Sequence, residues 1–312
     1  MLSVAWSARI GAAARWMVLG GLTALAACVP ADEAIGLGSV QFTFTASQRT
    51  MGGLREVDTR DRWSLRFDRV VLGFKTMTIG QIGVADVCSY RGRGETTDVV
   101  FDPRFGVVQT FNGIQPVLCP DVGIIFGPPS DTTTLGAGVT SRDLVELATG
   151  EPAHAIVEAT ATELPTFANP EPRTMRISLR FDSERTATRF GGCRAAARGV
   201  RILEGGRDEV PVAFAAERLF GNAISTSSSL HVLPFVDSDL DGDGVVTMAE
   251  LDARRLTSLI GYDGAYAMPD GSRVGSFGDF VRVLFRFAIK FRNEGICVGN
   301  EPGSEEGGQP SP

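Results

Sequence analysis

From Trp63 to Phe74 apolar and polar residues alternate: Trp63, Leu65 and Phe67 with Ser64, Arg66 and Asp68, the apolar set running on through Val70, Leu72 and Phe74. A two-residue period places one set of side chains on one face of an extended strand, a pattern that an α-helix does not satisfy. Val40, Phe42 and Phe44 alternate in the same way with Gln41, Thr43 and Thr45. Further strands are predicted over 107–111, 122–126, 155–161 and 175–181. Between them lie turn clusters such as Gly127-Pro128-Pro129-Ser130-Asp131 and Asn169-Pro170-Glu171-Pro172. Many short strands with Gly/Pro punctuation predict a mainly antiparallel β sandwich over 39–215.

After residue 216 the texture turns helical. Met248, Leu251, Leu256, Leu259 and Ile260 fall on one helix face. Ser276 and Asp279 read as a capping box that opens a second helix running through Arg292. An apolar stripe that includes Phe277, Phe280, Leu284, Ala288 and Phe291 faces a basic one of Arg282, Arg286 and Lys290, the pattern of a core helix with a solvated face. The expected fold class is therefore α+β, a sandwich followed by a helical C-terminal subdomain over 216–299. The Gly-, Pro-, Ser- and Glu-rich segment 300–312 is predicted to be a disordered tail.

Inside that helical part, Asp239 to Glu250 has the spacing of an EF-hand calcium loop. Ca²⁺ is a hard cation that takes six to eight oxygens, which a twelve-residue loop supplies from positions 1, 3, 5, 7, 9 and 12. Asp239, Asp241 and Asp243 fill the first three, and Gly244 follows where the loop turns sharply. Val245 offers its carbonyl, Thr247 acts directly or through water, and Glu250 closes the loop as the bidentate ligand. Val246 is the apolar residue that fixes the loop against the protein. A frame beginning at Asp237 puts Met248 in the closing position and loses the carboxylate. Reading Thr247 to Glu250 only as a helix capping box leaves the three aspartates unexplained. No second loop is present, and Pro234 opposes a long entering helix. The expected cofactor is Ca²⁺, held as a structural clamp rather than a switch.

The first 27 residues carry Arg9 and Arg15, then the apolar run Trp16 to Leu22, then small residues, the layout of a signal peptide. Leu25-Ala26-Ala27-Cys28 resembles the lipobox of bacterial lipoproteins, in which the cysteine is acylated and becomes the first residue. This implies a lipid-anchored protein of the bacterial cell envelope, tethered through residues 28–38 and partnered with the membrane at Cys28. By resemblance to the sorting rule of enteric lipoproteins, Val29 in place of Asp favours the outer membrane. Cleavage takes the formal charge from −7 to −9, and so acidic a chain argues against nucleic acid. Cys88, Cys119, Cys193 and Cys297 remain, an even number that reads as two disulfides in an exported chain. The expected pairs are Cys88 with Cys119 and Cys193 with Cys297. No C-x-x-C spacing and only two histidines argue against zinc.

Trp63-Ser64-Leu65-Arg66-Phe67-Asp68, Val157 to Thr162, Leu179-Arg180-Phe181-Asp182 leading to Cys193, the calcium loop, and Glu294-Gly295-Ile296-Cys297 together resemble myxobacterial-type cell-envelope lipoproteins with a single EF-hand loop. The resemblance implies an Asp-His pair just before the Leu-Phe that is here Leu219-Phe220, and histidines around the last cysteine. This chain has Glu217-Arg218 in the first place and Lys290, Phe291 and Ile296 in the second. Any transition-metal site of such relatives is expected to be lost.

The chain has no metalloprotease helix motif, nucleophile elbow, P-loop or dinucleotide fingerprint. His154 and His231 read as ordinary surface or core-edge residues, and nothing in the sequence pairs carboxylates such as Glu158 and Glu163 for hydrolysis. The expectation is a non-enzymatic protein with a structural or adhesive role and an unidentified protein or ligand partner. The alternative is a periplasmic lipoprotein that handles a ligand or metal.

Overall fold

The computed structural model describes residues 37–80, 92–93, 98–114, 118–119, 121–167, 170–194, 200–201, 203–224, 228–262, 266, 274–292 and 295–300. The strands are β1 (Gly38–Ala46), β2 (Trp63–Gly80), β3 (Gly92–Arg93), β4 (Val99–Phe101), β5 (Val107–Ile114), β6 (Leu118–Cys119), β7 (Asp121–Phe126) and β8 (Thr134–Leu135). They continue with β9 (Ala153–Glu163), β10 (Thr174–Asp182), β11 (Arg189–Arg194), β12 (Val200–Arg201), β13 (Arg207–Phe214), β14 (Val245–Thr247), β15 (Ile289–Phe291) and β16 (Gly295–Gly299). Five short helices accompany them: α1 (Gln48–Gly52), α2 (Ser141–Ala148), α3 (Leu233–Val236), α4 (Met248–Ala253) and α5 (Phe277–Phe285).

The alternation at Trp63 to Phe74 belongs to a strand eighteen residues long. Its inward residues are Trp63, Leu65 and Phe67, then Val70, Leu72 and Phe74, then Met77 and Ile79. The period slips by one residue twice, and each slip is a β-bulge. Phe67 faces Ala159 and Arg69 faces Glu158, which leaves Asp68 as the extra residue. Phe74 faces Phe126 and Thr76 faces Ile125, which leaves Lys75 extra. A bulge bends its strand and raises the local twist.

At Leu72 the strand pairs with both Phe101 of β4 and Ala155 of β9, and at Phe74 with both Val99 of β4 and Phe126 of β7. A strand has two edges, so β4 takes one, and β9 and β7 share the other end to end. They meet at Gly73. The Gly127 N–H donates to the Gly73 carbonyl at 2.9 Å, and a Cβ on residue 73 would stand 2.3 Å from the Gly127 carbonyl oxygen.

From β2 the hydrogen-bonded order runs through β9 and β10 to β14 on one side, and through β7, β11, β16, β15, β13 and β1 to β5 on the other. Although β1 and β2 are far apart along that path, the Phe44 ring of β1 lies 5.6 Å from Phe101 and 5.9 Å from Phe126. The sheet has curled onto itself like a half barrel. Helix α5 fills the concave side, where Phe285 meets Phe181, Phe190, Phe214 and His154 at 4.5–5.9 Å. His154 is wholly buried, and burial pulls its pKa down to about 3, the Ala187 carbonyl offsetting this only in part. It is a neutral core residue. On the convex face Leu147 of α2 packs on Val71 and Ile156, and Arg69 of β2 holds the helix through Asp143 and Glu146 at 2.6 and 2.8 Å.

This architecture corrects the expected fold class. Among the described residues there is, in place of an antiparallel sandwich followed by a separate helical EF-hand subdomain, one large curled mixed sheet beside the two-stranded pair of β6 with β12, the large sheet containing parallel pairs β1 with β13, β10 with β14, and β4 with β8. Strands β15 and β16, from the segment expected to be helical, lie inside the sheet between β13 and β11. The helix expected through Arg292 ends at Phe285. Ala288 and Phe291 satisfy a helical stripe, but Ile289 and Phe291 satisfy alternation equally, and pairing with β13 and β16 decides for the strand. The face expected from Met248 to Ile260 also breaks, at Arg254, into α4 and a 3-10 turn. The expected tail begins at Asn300, and residues 301–312 lie outside the described residues.

Replacing Gly73 by Ala is expected to destabilise the protein by about 2 kcal/mol, because the atom it meets is backbone that cannot swing away. Urea denaturation checks this against Gly52→Ala, where nothing lies within 4 Å of the added Cβ.

Candidate metal centre

Three elements build the loop. The isolated bridge of Gly221 with Leu230 leads the chain into α3, whose first N–H groups, on Val232 and Leu233, donate to Asp61 Oδ2 at 2.6 Å. Pro234 sits in the first turn, where its missing N–H costs nothing, and the helix is only four residues long. The loop then turns at Gly242 and Gly244, with φ of +73° and +83°. A Cβ would meet nothing at either position, so glycine is needed for the backbone conformation alone.

Strand β14 docks the far side of the loop on the sheet. Val246, fully buried, lies opposite Ile177 in a parallel pairing with β10. The Arg176 N–H donates to the Gly244 carbonyl at 3.0 Å. Polar groups of successive strand residues face opposite edges, so those of Val245 face the loop. Its N–H donates to Asp243 Oδ1 at 2.7 Å, and its carbonyl lies on the same edge of the strand.

Within the loop Asp239 Oδ1 accepts from the Gly242 N–H at 2.9 Å and Oδ2 from the Gly244 N–H at 3.2 Å, while Asp241 Oδ1 accepts from the Asp243 N–H at 3.1 Å. These bonds turn the side chains inward. One carboxylate oxygen from each of Asp239, Asp241 and Asp243 lies within 4.8 Å of the others. Such a spacing costs about 1 kcal/mol per pair even at the dielectric constant of water. Among the described residues no Lys or Arg pairs with any of the three, whereas Asp143, Asp208 and Asp252 each have an arginine.

Asp237 stays out of this group, because the Tyr262 hydroxyl donates to its Oδ2 at 2.6 Å. The oxygens that cluster are those of Asp239, Asp241 and Asp243. Glu250 reaches back over the loop: Oε1 accepts from the Leu240 N–H at 2.9 Å, and Oε2 from the Thr247 N–H and hydroxyl at 2.8 and 2.9 Å. Burial pulls its carboxyl up, but these donors outweigh it and hold the group below the usual carboxylate range. Thr247 and Glu250 thus form the capping box of α4. They stand beside the triad, while the oxygens that converge are the three aspartates. The donor set, all oxygen and mostly carboxylate, suits a hard divalent cation.

Two clusters that the sequence did not reveal hold the flanks. Arg254, just past α4, donates to the Pro234 carbonyl at 2.7 Å, to Ser238 Oγ at 3.0 Å and to the Tyr262 hydroxyl at 2.7 Å, stapling the exit of the loop to its entry. Asp252 of α4 receives both guanidinium arms of Arg282 of α5, at 2.5 and 2.9 Å, and an arm of Arg185 at 2.8 Å. Gly278 allows this approach, since a Cβ there would stand 2.0 Å from the Asp252 carboxylate. An aspartate two residues and an arginine four residues past Glu250 are the local signals, and nothing in the sequence joins them to their partners.

Of the remaining expected sites, Cys193 and Cys297 form a buried disulfide between β11 and β16. Cys28 and Cys88 lie outside the described residues, and Cys119 lies in β6, paired with β12. The histidines expected at the surface or core edge are both buried. Glu158 is paired with Arg69 at 3.2 Å. The resemblance positions come together: Lys290 donates to Glu217 Oε1 at 2.8 Å, and Ser47 and Thr50 donate to Oε2. Burial raises the Glu217 carboxyl, and the Lys290 charge together with the hydrogen bonds from Lys290, Ser47 and Thr50 more than reverses that. Comparison with protein-family models, curated proteins and solved structures finds no match for this chain.

Arg282→Met leaves a partly buried aspartate with only Arg185 to neutralise it, and is expected to cost about 3 kcal/mol. Arg185→Met, at a half-exposed side chain, is expected to cost less than about 1 kcal/mol. Urea denaturation of both variants checks the ranking.

Proposed function

We propose that this chain is a calcium-binding, lipid-anchored protein of the bacterial cell envelope with a structural or adhesive, non-enzymatic role. The observation that carries the calcium reading is the convergence of Asp239, Asp241 and Asp243 without a basic partner, in a fold that neutralises its other clustered carboxylates with arginine. The EF-hand order of ligands and the loop-side carbonyl of Val245 support it. The leader and lipobox at Leu25 to Cys28 support export and acylation.

Bound Ca²⁺ would be held by Asp239, Asp241, Asp243, the Val245 carbonyl and Glu250, with Thr247 contributing directly or through water. It would neutralise the triad and lock β14 on the edge of the sheet. A sensor needs two helices that reorient on binding. Here the entering helix is a single turn and Arg254 ties the flanks together, which supports a clamp.

Extracellular modules of this kind bind calcium with Kd of about 0.1–1 mM. At roughly 1 mM calcium the tighter limit gives about 1.4 kcal/mol of stabilisation, or about 3–5 °C in Tm for a chain of this size. Calcium is expected to raise Tm by that amount, Asp239→Ala to abolish the response, and Asp237→Ala to preserve it. No heat of binding in calorimetry at millimolar calcium defeats the reading.

The anchor is tested separately. Expressed in a bacterium, the protein should fractionate with membranes and carry acyl mass on Cys28, whereas Cys28→Ser should be released in soluble form. An unacylated mature chain beginning at Cys28 defeats it.

A further inference from the structure

A cleft of about 230 Å³ opens beside the 3-10 turn Ala216–Phe220. Its walls are Ile224 of the following loop, Leu284 and Phe287 at the end of α5, and Ile296 of β16, and its polar groups are Arg218 and Ser228. It shares no residue with the calcium loop, and nothing argued for that loop bears on it.

Arg218 is the unusual member. Its Nη1 donates to the Phe287 carbonyl at 2.9 Å, which fixes the guanidinium plane and leaves the other N–H groups for further partners. Among the described residues no carboxylate pairs with it. The neighbouring Glu217 is turned to Lys290, Ser47 and Thr50. Burial pulls the Arg218 pKa below the ordinary arginine range, and the Glu217 charge restores only part. A partly buried guanidinium without a counter-ion is costly, and Arg is suited to a planar, bidentate anion.

The apolar walls narrow the choice. A hydrated inorganic ion would satisfy Arg218 but leave the partly exposed Ile224, Phe287 and Ile296 facing water. We propose that the cleft binds a small organic carboxylate with an apolar body, its carboxylate on Arg218 and the Ser228 hydroxyl and its carbon skeleton on Ile224, Leu284, Phe287 and Ile296. At the volume per molecule of liquid water, about 30 Å³, the space corresponds to roughly eight non-hydrogen atoms. Hexanoate and benzoate are of that size.

The test is calorimetric titration of the full chain, in calcium, with hexanoate, benzoate, the neutral hexanamide, and sulfate. Saturable binding of either carboxylate with Kd of about 1 mM or tighter, at least about tenfold tighter than hexanamide and sulfate, is expected. Arg218→Met, which keeps the aliphatic stem, should weaken the carboxylates by about tenfold or more, and Ser228→Ala by about threefold. No saturation by about 50 mM, or undiminished binding to Arg218→Met, overturns the proposal. Sulfate binding as tight as the carboxylates overturns its apolar half. Should Arg218→Met fail to fold, the Ser228→Ala variant and the hexanamide comparison decide the same question.

Discussion

The protein is organised by one strand that cannot stay straight. Strand β2 supplies inward residues from Trp63 to Ile79, but its bulges at Asp68 and Lys75 turn each section relative to the one before. Because β9 and β7 share one edge of it end to end, two walls of sheet leave the same strand in different directions. The concave space between them is what α5 fills, with Phe285 against side chains of four strands. The outermost strand of one wall, β14, is also the far side of the aspartate loop 239–250. The geometry of β2 therefore reaches the site through β9 and β10.

Much of this was legible where the signal is local. The alternation over Trp63 to Phe74 marked β2, whereas the bulges at Asp68 and Lys75 that interrupt its register came only with the pairing to β9 and β7. The parallel pairing of β1 with β13 was not legible, because Val40 and its partner Asp208 lie far apart in the chain and nothing in either segment names the other. Nor was the strand character of Ile289 to Phe291, since three residues cannot separate a period of 2 from one of 3.6. Export-type Gly/Pro punctuation looks alike in a sandwich and in a curled sheet, and closure is a property of distant pairings.

The site shows the same division. Asp239, Asp241 and Asp243 were readable as a candidate set because they stand at alternate positions of one short segment. Arg254 with Tyr262, and Asp252 with Arg282 and Arg185, were not, because each joins residues that become neighbours only when α4 lies against α5 and the loop entrance. Those contacts tie the flanks of the loop together through the Arg254 guanidinium. Thr247 and Glu250 cap the start of α4, and Glu250 also holds the loop by accepting from the Leu240 N–H.

One feature of the topology governs how the chain must be assembled. Strands β15 and β16, from residues 289–299, lie between β13 and β11, and Cys297 is bonded to Cys193 of β11. Until those last residues arrive, the sheet is divided, with β13, β1 and β5 on one side of the gap and β11, β7 and β2 on the other. The hydrophobic face that α5 covers is likewise open until nearly the whole chain exists. Closure of the sheet therefore depends on residues 289–299, which join two groups of strands that are otherwise separate.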